Sequence, residues 1–157
     1  MAGPGIAELH ERIPFLLSQL GVSIADDFVD RLRPFGVGPR TYAVLMALAA
    51  DDGQSQRELS ARLGIHRNAM VAVVDDLEAQ GFVARKPHPS DRRAFAVTLT
   101  DAGRRLLPSL DAQGRAQENE LTATLTEKER AALLALLQKV SGALGMSPGV
   151  HPKLSDG

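Results

Sequence analysis

The chain has 157 residues, 44% of them hydrophobic, which is enough for one globular unit and too few for two comfortable ones. Lys plus Arg is 18 and Asp plus Glu is 19, a net charge of -1 that on its own speaks against a strongly basic nucleic-acid binder. The absence of cysteine excludes disulfides, thiolate metal sites, a Cys nucleophile and a thiol redox switch, and no run of about 18 apolar residues exists to span a membrane.

Residues 1–7 are small and hold Gly and Pro, so they are expected to fray. They lack the basic start and apolar stretch of a signal peptide, which makes a cytoplasmic protein the expectation. Pro14 suits the first turn of a helix, where its missing N–H costs little. From there Phe15, Leu16, Leu20, Ile24, Phe28 and Leu32 recur at mostly helical spacings, with Gly21 as a weak point and Pro34-Phe35-Gly36 as the stop. Pro39 opens a second helix through Val44, Leu45 and Leu48 to Ala50, and Asp51-Asp52-Gly53 turns the chain. Ser55 and Glu58 have the spacing of a capping box for a short helix that carries Leu59 and Leu63 and stops at Gly64.

The stretch from His66 to Gln80 is helical again, with Met70, Val73, Val74 and Leu77 on one apolar face and Gly81 as its stop. Then the period changes. Residues 82–86 and 95–100 read as two short strands, joined by a polar loop that carries Asp91, Arg92 and Arg93. Thr100 and Asp101 can cap a helix towards Leu125. Thr126 and Glu129 form a second capping box, for a last helix with Leu133, Leu136, Leu137, Val140 and Leu144. That leucine stripe is either core or a dimer seam, and two apolar helical ends favour the seam. The tail, residues 147–157, is expected to be flexible.

The fold class is therefore mainly α with a small β-hairpin. A short helix, a Gly-containing turn, a longer helix and a hairpin with a charged loop are the layout of a winged helix-turn-helix. The second helix of such a pair fits the major groove of DNA, and the hairpin loop reaches the neighbouring minor groove, where Arg is drawn to narrow, electronegative stretches. Charge by segment bears on this reading. Residues 1–53 hold 4 basic and 7 acidic groups, residues 54–105 hold 9 and 6, and residues 106–157 hold 5 and 6. Within 82–105 the balance is 6 against 2, so a local basic footprint exists inside a near-neutral chain.

Leu59-Ser-Ala-Arg-Leu-Gly64, Val74 through Arg85 and Asp91-Arg-Arg-Ala-Phe-Ala-Val-Thr-Leu-Thr-Asp-Ala-Gly103 together resemble the MarR family, the multiple-antibiotic-resistance regulators. Gly36 through Leu45 resembles that family's second helix. The resemblance implies one unit over 8–146. In it, 8–35 and 101–146 supply dimerisation helices and 38–100 form the winged helix-turn-helix. It also implies a homodimeric repressor that binds a pseudo-palindromic site on double-stranded DNA and is released by a small aromatic or phenolic ligand. The chain departs from the family where the recognition helix, often rich in Ser and Thr at its start, reads His66-Arg-Asn-Ala-Met-Val-Ala72, and where Asp76 stands in a commonly basic position. The peroxide-sensing branch is excluded by the missing cysteines.

Roles follow by position. Arg93 is the expected minor-groove residue. Arg92 touches phosphate or braces the wing, and Asp91 holds an Arg in place. Arg85 and Lys86 contact phosphate or are surface charge. Arg67 and Asn68 can pair with guanine and adenine, and Val71 can touch a thymine methyl. His66 caps its helix or meets the DNA backbone. Ser55 and Gln56 start the first helix of the motif, where free N–H groups can meet phosphate, although capping explains them equally well. Phe15, Arg40, Tyr42 and Met46 are candidates for a ligand pocket, with core packing the alternative for Phe15 and Met46. His10, His66, His88 and His151 show no ligand spacing, so neither a metal nor a cofactor is expected. The competing readings are a winged helix that binds protein instead of DNA, and an enzyme, for which no Gly-x-Ser-x-Gly, His-Glu-x-x-His, P-loop or dinucleotide fingerprint is found.

Overall fold

The computed structural model describes residues 5–155. Its helices are α1 (Ala7–His10), α2 (Ile13–Leu32), α3 (Pro39–Ala50), α4 (Gln56–Leu63), α5 (Arg67–Ala79), α6 (Asp101–Leu121) and α7 (Glu127–Ala143). Its strands are β1 (Gln54–Ser55), β2 (Val83–Pro87) and β3 (Phe95–Leu99), and two short 3-10 turns lie at Arg33–Phe35 and Pro152–Leu154. Of the first seven residues, 1–4 lie outside the described residues, and Ala7 already belongs to α1. Gly21 does not interrupt α2, whose Pro14 sits in the first turn as the sequence implies. The helix α6 ends at Leu121, four residues short of the expected Leu125.

The core lies between α3, α4, α5, the sheet and the first half of α6. Leu45, Leu48, Leu59, Met70, Val74, Leu77, Val97 and Leu110 are wholly buried there. The i, i+3, i+4, i+7 face of α5 is thus the buried one, as its spacing requires. By contrast, of the apolar row of α2 only Leu32 is buried; Phe28 packs partly buried against the core, and Phe15 and Leu20 stay exposed. Residues 131–140 of α7 are all exposed, and no residue of the helix is buried. The leucine stripe is therefore not core within one chain.

The sheet has the order β1-β3-β2, all antiparallel, with Gln54 opposite Val97, Val83 opposite Leu99 and Pro87 opposite Phe95. The strand β1 is too short to leave a period-two signal, and the sequence reading missed it. Its Gln54 side chain is buried and donates to the backbone carbonyls of Ala47 and Asp51. The Asp52 carboxylate accepts from Leu99 N–H at 2.9 Å and pairs with Arg104 at 2.6 Å, which ties the turn after α3 to the junction of β3 and α6. Gly103 allows that junction to close. A Cβ there would sit 2.2 Å from the Phe82 carbonyl oxygen.

Of the tail expected to be flexible, residues 156 and 157 lie outside the described residues. Residues 148–155 return to the body of the chain, Leu154 is only 6% exposed inside the core cluster, and Arg40 donates from Nε to the Leu154 carbonyl at 3.0 Å. The physical reason is one apolar anchor at the end of a Gly- and Pro-containing connection, a signal too small to register in composition.

Candidate nucleic-acid interface and ligand cavity

The helix-turn-helix is set by its caps. Ser55 Oγ accepts from Glu58 N–H at 3.2 Å, and Glu58 Oε2 accepts from Ser55 N–H at 2.7 Å, so the capping box at the start of α4 is complete. Those hydrogen bonds from Ser55, backbone first, hold the Glu58 carboxyl below its usual range. Gly64 takes a left-handed conformation, φ +65°, and turns the chain into α5. His66 caps that helix, its Nδ1 accepting from Asn68 N–H at 3.2 Å. Burying Met70, Val73, Val74 and Leu77 leaves Arg67, Asn68, Val71 and Ala72 on the opposite, exposed face.

The hairpin closes through His88 N–H to the Ala94 carbonyl and Ala94 N–H to the Asp91 carbonyl, both at 3.2 Å. The Asp91 carboxylate accepts from Arg93 N–H at 2.9 Å. It therefore shapes the tip through the backbone of Arg93, where the sequence reading had it holding an arginine. Arg92 and Arg93 are exposed at that tip, and among the described residues neither guanidinium has a hydrogen bond or ion pair; Lys86 is likewise exposed and unpaired among them. His88 lies 3.9 Å from Glu58 and faces the start of α4 from the base of the loop.

Arg85 is placed differently. Its guanidinium donates to Gln56 Oε1 at 2.9 Å, Asp75 Oδ1 at 2.5 Å and Glu78 Oε2 at 3.1 Å. It joins β2 to both helices of the motif and sets a cation beside two carboxylates of α5. Gln56 is engaged in the same contact, and Ser55 is buried as a cap, so the structure assigns side-chain tasks inside the chain to all three. Sequence reasoning missed the pairing because its members lie 7 to 29 residues apart.

Below the motif lies a cavity of about 1080 Å³, walled by α2, α3 and the returning tail. Arg40, Tyr42 and Met46 line it. Phe15 does not; it borders a separate, smaller hollow with Ile6 and Leu9, because α2 carries it roughly two turns away from Gly21 and Ile24, where the cavity begins. Phe28 packs edge-on against Tyr42, with ring centroids 4.9 Å apart. Burial, and secondarily the Asp111 charge, raise the Tyr42 hydroxyl above its ordinary pKa. Around the cavity, α2 is pinned to α6: Gln117 donates to the Ile24 carbonyl at 2.9 Å and to Asp27 at 2.8 Å, and Arg31 bridges Asp27 and Glu120. Among the described residues no cluster of His, Asp and Glu could hold a metal ion, and no helix is long and apolar enough to cross a membrane.

The comparisons agree with this geometry. The model of the MarR family matches residues 35–94, from the turn before α3 to the wing tip. A putative transcriptional regulatory protein for the hcr operon of Thauera aromatica is 31% identical over 105 residues, which is 67% of this chain and 63% of that regulator's length. The transcriptional repressor CouR bound to a DNA duplex is 33% identical, with 89% of this chain and 99% of that one covered and a TM-score of 0.75. CouR of Rhodococcus jostii bound to p-coumaroyl-CoA is 30% identical, with coverage of 85% and 94% and a TM-score of 0.69. A winged helix-turn-helix with its reading face exposed, matched along nearly the whole length of such repressors, places the chain in the MarR family of DNA-binding transcriptional regulators.

Proposed function

We propose that two copies of this chain form a repressor in the cytoplasm that grips a pseudo-palindromic duplex and lets go when a small aromatic or phenolic ligand enters the cavity. The observation that carries the reading is the wing tip. Asp91 holds the loop, while the Arg92 and Arg93 guanidiniums meet no partner among the described residues. In the bound state Arg93 enters the minor groove and Arg92 and Lys86 meet phosphates. The exposed face of α5 offers Arg67, Asn68 and Val71 to base edges in the major groove. Arg85 serves the same surface indirectly, as the tie between wing and helix. The acidic N-terminal third keeps the remainder of the protein from adding nonspecific attraction.

Dimerisation rests on α7, whose apolar side chains have no cover in one chain: Leu134 is 56% exposed and Leu136 61%. Together with α1 and α2 they supply an apolar surface at the base, which sets two α5 helices at the spacing of half-sites roughly 34–36 Å apart. A ligand between base and reading head changes that spacing. The relatives fit both halves of the proposal, since CouR has been captured on DNA and with p-coumaroyl-CoA.

A mobility-shift titration on the chain's own upstream region, from low to high salt, tests it. Affinity is expected to fall steeply with salt, as counterion release demands. Binding no tighter than to random duplex at low salt would overturn local autoregulation, and retention of protein partners without nucleic acid would favour the protein-binding reading.

A further inference from the structure

We infer that the C-terminal segment 148–155 is a tether: by docking against α3 it fixes the angle of the winged head relative to α7 and so readies the head for DNA. The inference rests on the reading of α7 as the dimer base and adds to it the part of the chain that fastens the head to that base.

The helix α7 has few other attachments. No residue of it is buried. Among the described residues, the side-chain bonds that join it to another element are those of Arg130, near its start, to Glu118 at 2.7 Å and to Asn119 at 3.4 Å. Its far end is continued by the segment. The Met146 N–H donates to the Ser141 carbonyl at 3.1 Å around Gly145, whose φ of +70° closes the helix end. Val150 N–H then donates to the Ser147 carbonyl at 3.2 Å, and Leu154 N–H to the His151 carbonyl at 3.1 Å. His151 Nδ1 accepts from Lys153 N–H at 3.2 Å, and Ser155 Oγ donates to the Pro152 carbonyl at 2.8 Å. The run from α7 to Leu154 is thus a series of closed turns with little slack.

The other end of the run is anchored in the head. Leu154 is 6% exposed within the core cluster, which holds Val44, Leu45 and Leu48 of α3, and Val150 packs partly buried against it. Arg40, in the first turn of α3, donates from Nε to the Leu154 carbonyl at 3.0 Å, across 114 positions of sequence. Since α3 runs through residues 51–53 into β1 and α4, what holds α3 holds the reading head. The attachment falls where other packing is thin. The cavity of about 1080 Å³ parts α2 from α3, and residues 148–151, 153 and 154 line it. A head held at one angle meets DNA already ordered. A loose head binds more weakly, in proportion to the fraction of time it spends at the competent angle.

The chain has no cysteine, so a single spin label can be placed at will. Ala79→Cys puts it on the exposed last residue of α5, away from the start of the helix that reads DNA. Pulsed dipolar spectroscopy on the DNA-free protein then gives the distribution of distances between the two heads of the dimer. Affinity for a duplex of the chain's own upstream region is read on unlabelled protein. The full chain is expected to show one narrow distribution. A chain ending at Met146 and the point variant Leu154→Asp are each expected to widen it about twofold or more and to weaken DNA binding about tenfold. Arg40→Gln, which leaves Leu154 in the core, is expected to widen it in part, and Leu154→Met to match the full chain in both measurements. Melting followed by circular dichroism identifies the variants that fold. A merely structural role for the segment would lower the melting temperature and leave the distribution narrow. An unchanged width in the variants that fold, or a wider one with unchanged DNA affinity, would overturn the tether. If the full chain itself shows no dipolar coupling, the dimer reading fails, and the tether fails with it.

Discussion

Arg85 separates bracing from contact with DNA. Its guanidinium holds Asp75 and Glu78 of α5 together with Gln56 of α4, and it is only 21% exposed while its carboxylate partners are 60% and 44% exposed. Pairs so open to solvent are individually weak, about 0–1 kcal/mol each, and the bond to Gln56 adds roughly 0.5–1.5 kcal/mol, so Arg85→Ala is expected to cost stability modestly. Its larger effect falls on DNA. The substitution unmasks two carboxylates on the helix that enters the groove, and each repels a phosphate at about 8 Å by roughly 0.5 kcal/mol in a water-like dielectric. With the wing loosened as well, the loss is about 1.4 kcal/mol, or tenfold in affinity. The decisive assay is a cycle. The substitution is repeated in a chain that already carries Asp75→Asn and Glu78→Gln, with DNA affinity measured by fluorescence anisotropy. A brace is expected to cost less than about threefold there, because nothing remains to be neutralised. An equal loss in both backgrounds would mean that Arg85 reaches phosphate itself, and the assignment would be wrong.

Arg93→Ala is expected to lower operator affinity by about 1–3 kcal/mol per the worth of a well-placed groove contact, with an unchanged melting temperature, and an unaltered affinity would remove Arg93 from the interface. Gly103→Ala drives a methyl to 2.2 Å from the Phe82 carbonyl oxygen, so despite the better helix propensity of Ala it is expected to lose more than about 2 kcal/mol in urea unfolding. Glu58, Glu129 and Asp27 have folded pKa values below their unfolded ones, the first two through capping-box bonds and the third through Arg31 and then Gln117. Their contribution is therefore present above the unfolded values of 4.5, 4.5 and 3.8 and is lost as pH falls through the folded ones. Melting temperature is expected to be level above that range and to drop below it, with a shallower drop in Glu58→Gln. Leu136→Glu is expected to yield monomers in sedimentation without loss of the core, since α7 buries nothing in its own chain; an unchanged mass would relocate the seam.

The legible parts of the sequence were those whose physics is local. Capping boxes at Ser55 and Thr126, the spacing of Met70, Val73, Val74 and Leu77, and the glycine at 64 each act within a few residues, and each marks its element correctly. The string from Asp91 to Gly103 was informative for a reason now visible: Asp91 shapes the wing tip, Thr100 caps α6 and Gly103 lets α6 pass the Phe82 carbonyl. The illegible parts depend on distant pairs. Nothing near Arg85 announces Asp75 and Gln56, nothing near Leu154 announces Arg40, and a two-residue strand such as β1 has no period to detect. Phe15 shows the opposite error. Sharing a helix with the cavity residues Ile24 and Phe28 says nothing about sharing their end of it.

The cavity sits where a ligand can act. Its walls belong to two parts of the chain: α2, fastened to α6 by Gln117 and Arg31, and α3 with α4 and Asp76 of α5, which carry the reading face. A ligand that touches both parts binds more tightly to one relative angle than to another, and only that difference releases DNA. Hundredfold release needs about 2.7 kcal/mol of differential affinity. Burying roughly 100 Å² more apolar surface in the released geometry supplies about that much at 25 cal/mol per Å². A change of that size is one aromatic ring more or less in contact with Tyr42, Phe28 or Met46. By reciprocity, operator DNA must weaken ligand binding by the same factor. Calorimetric titration of ligand into free and DNA-bound protein measures that factor directly, and equal affinities would refute release through this cavity whatever the ligand proves to be.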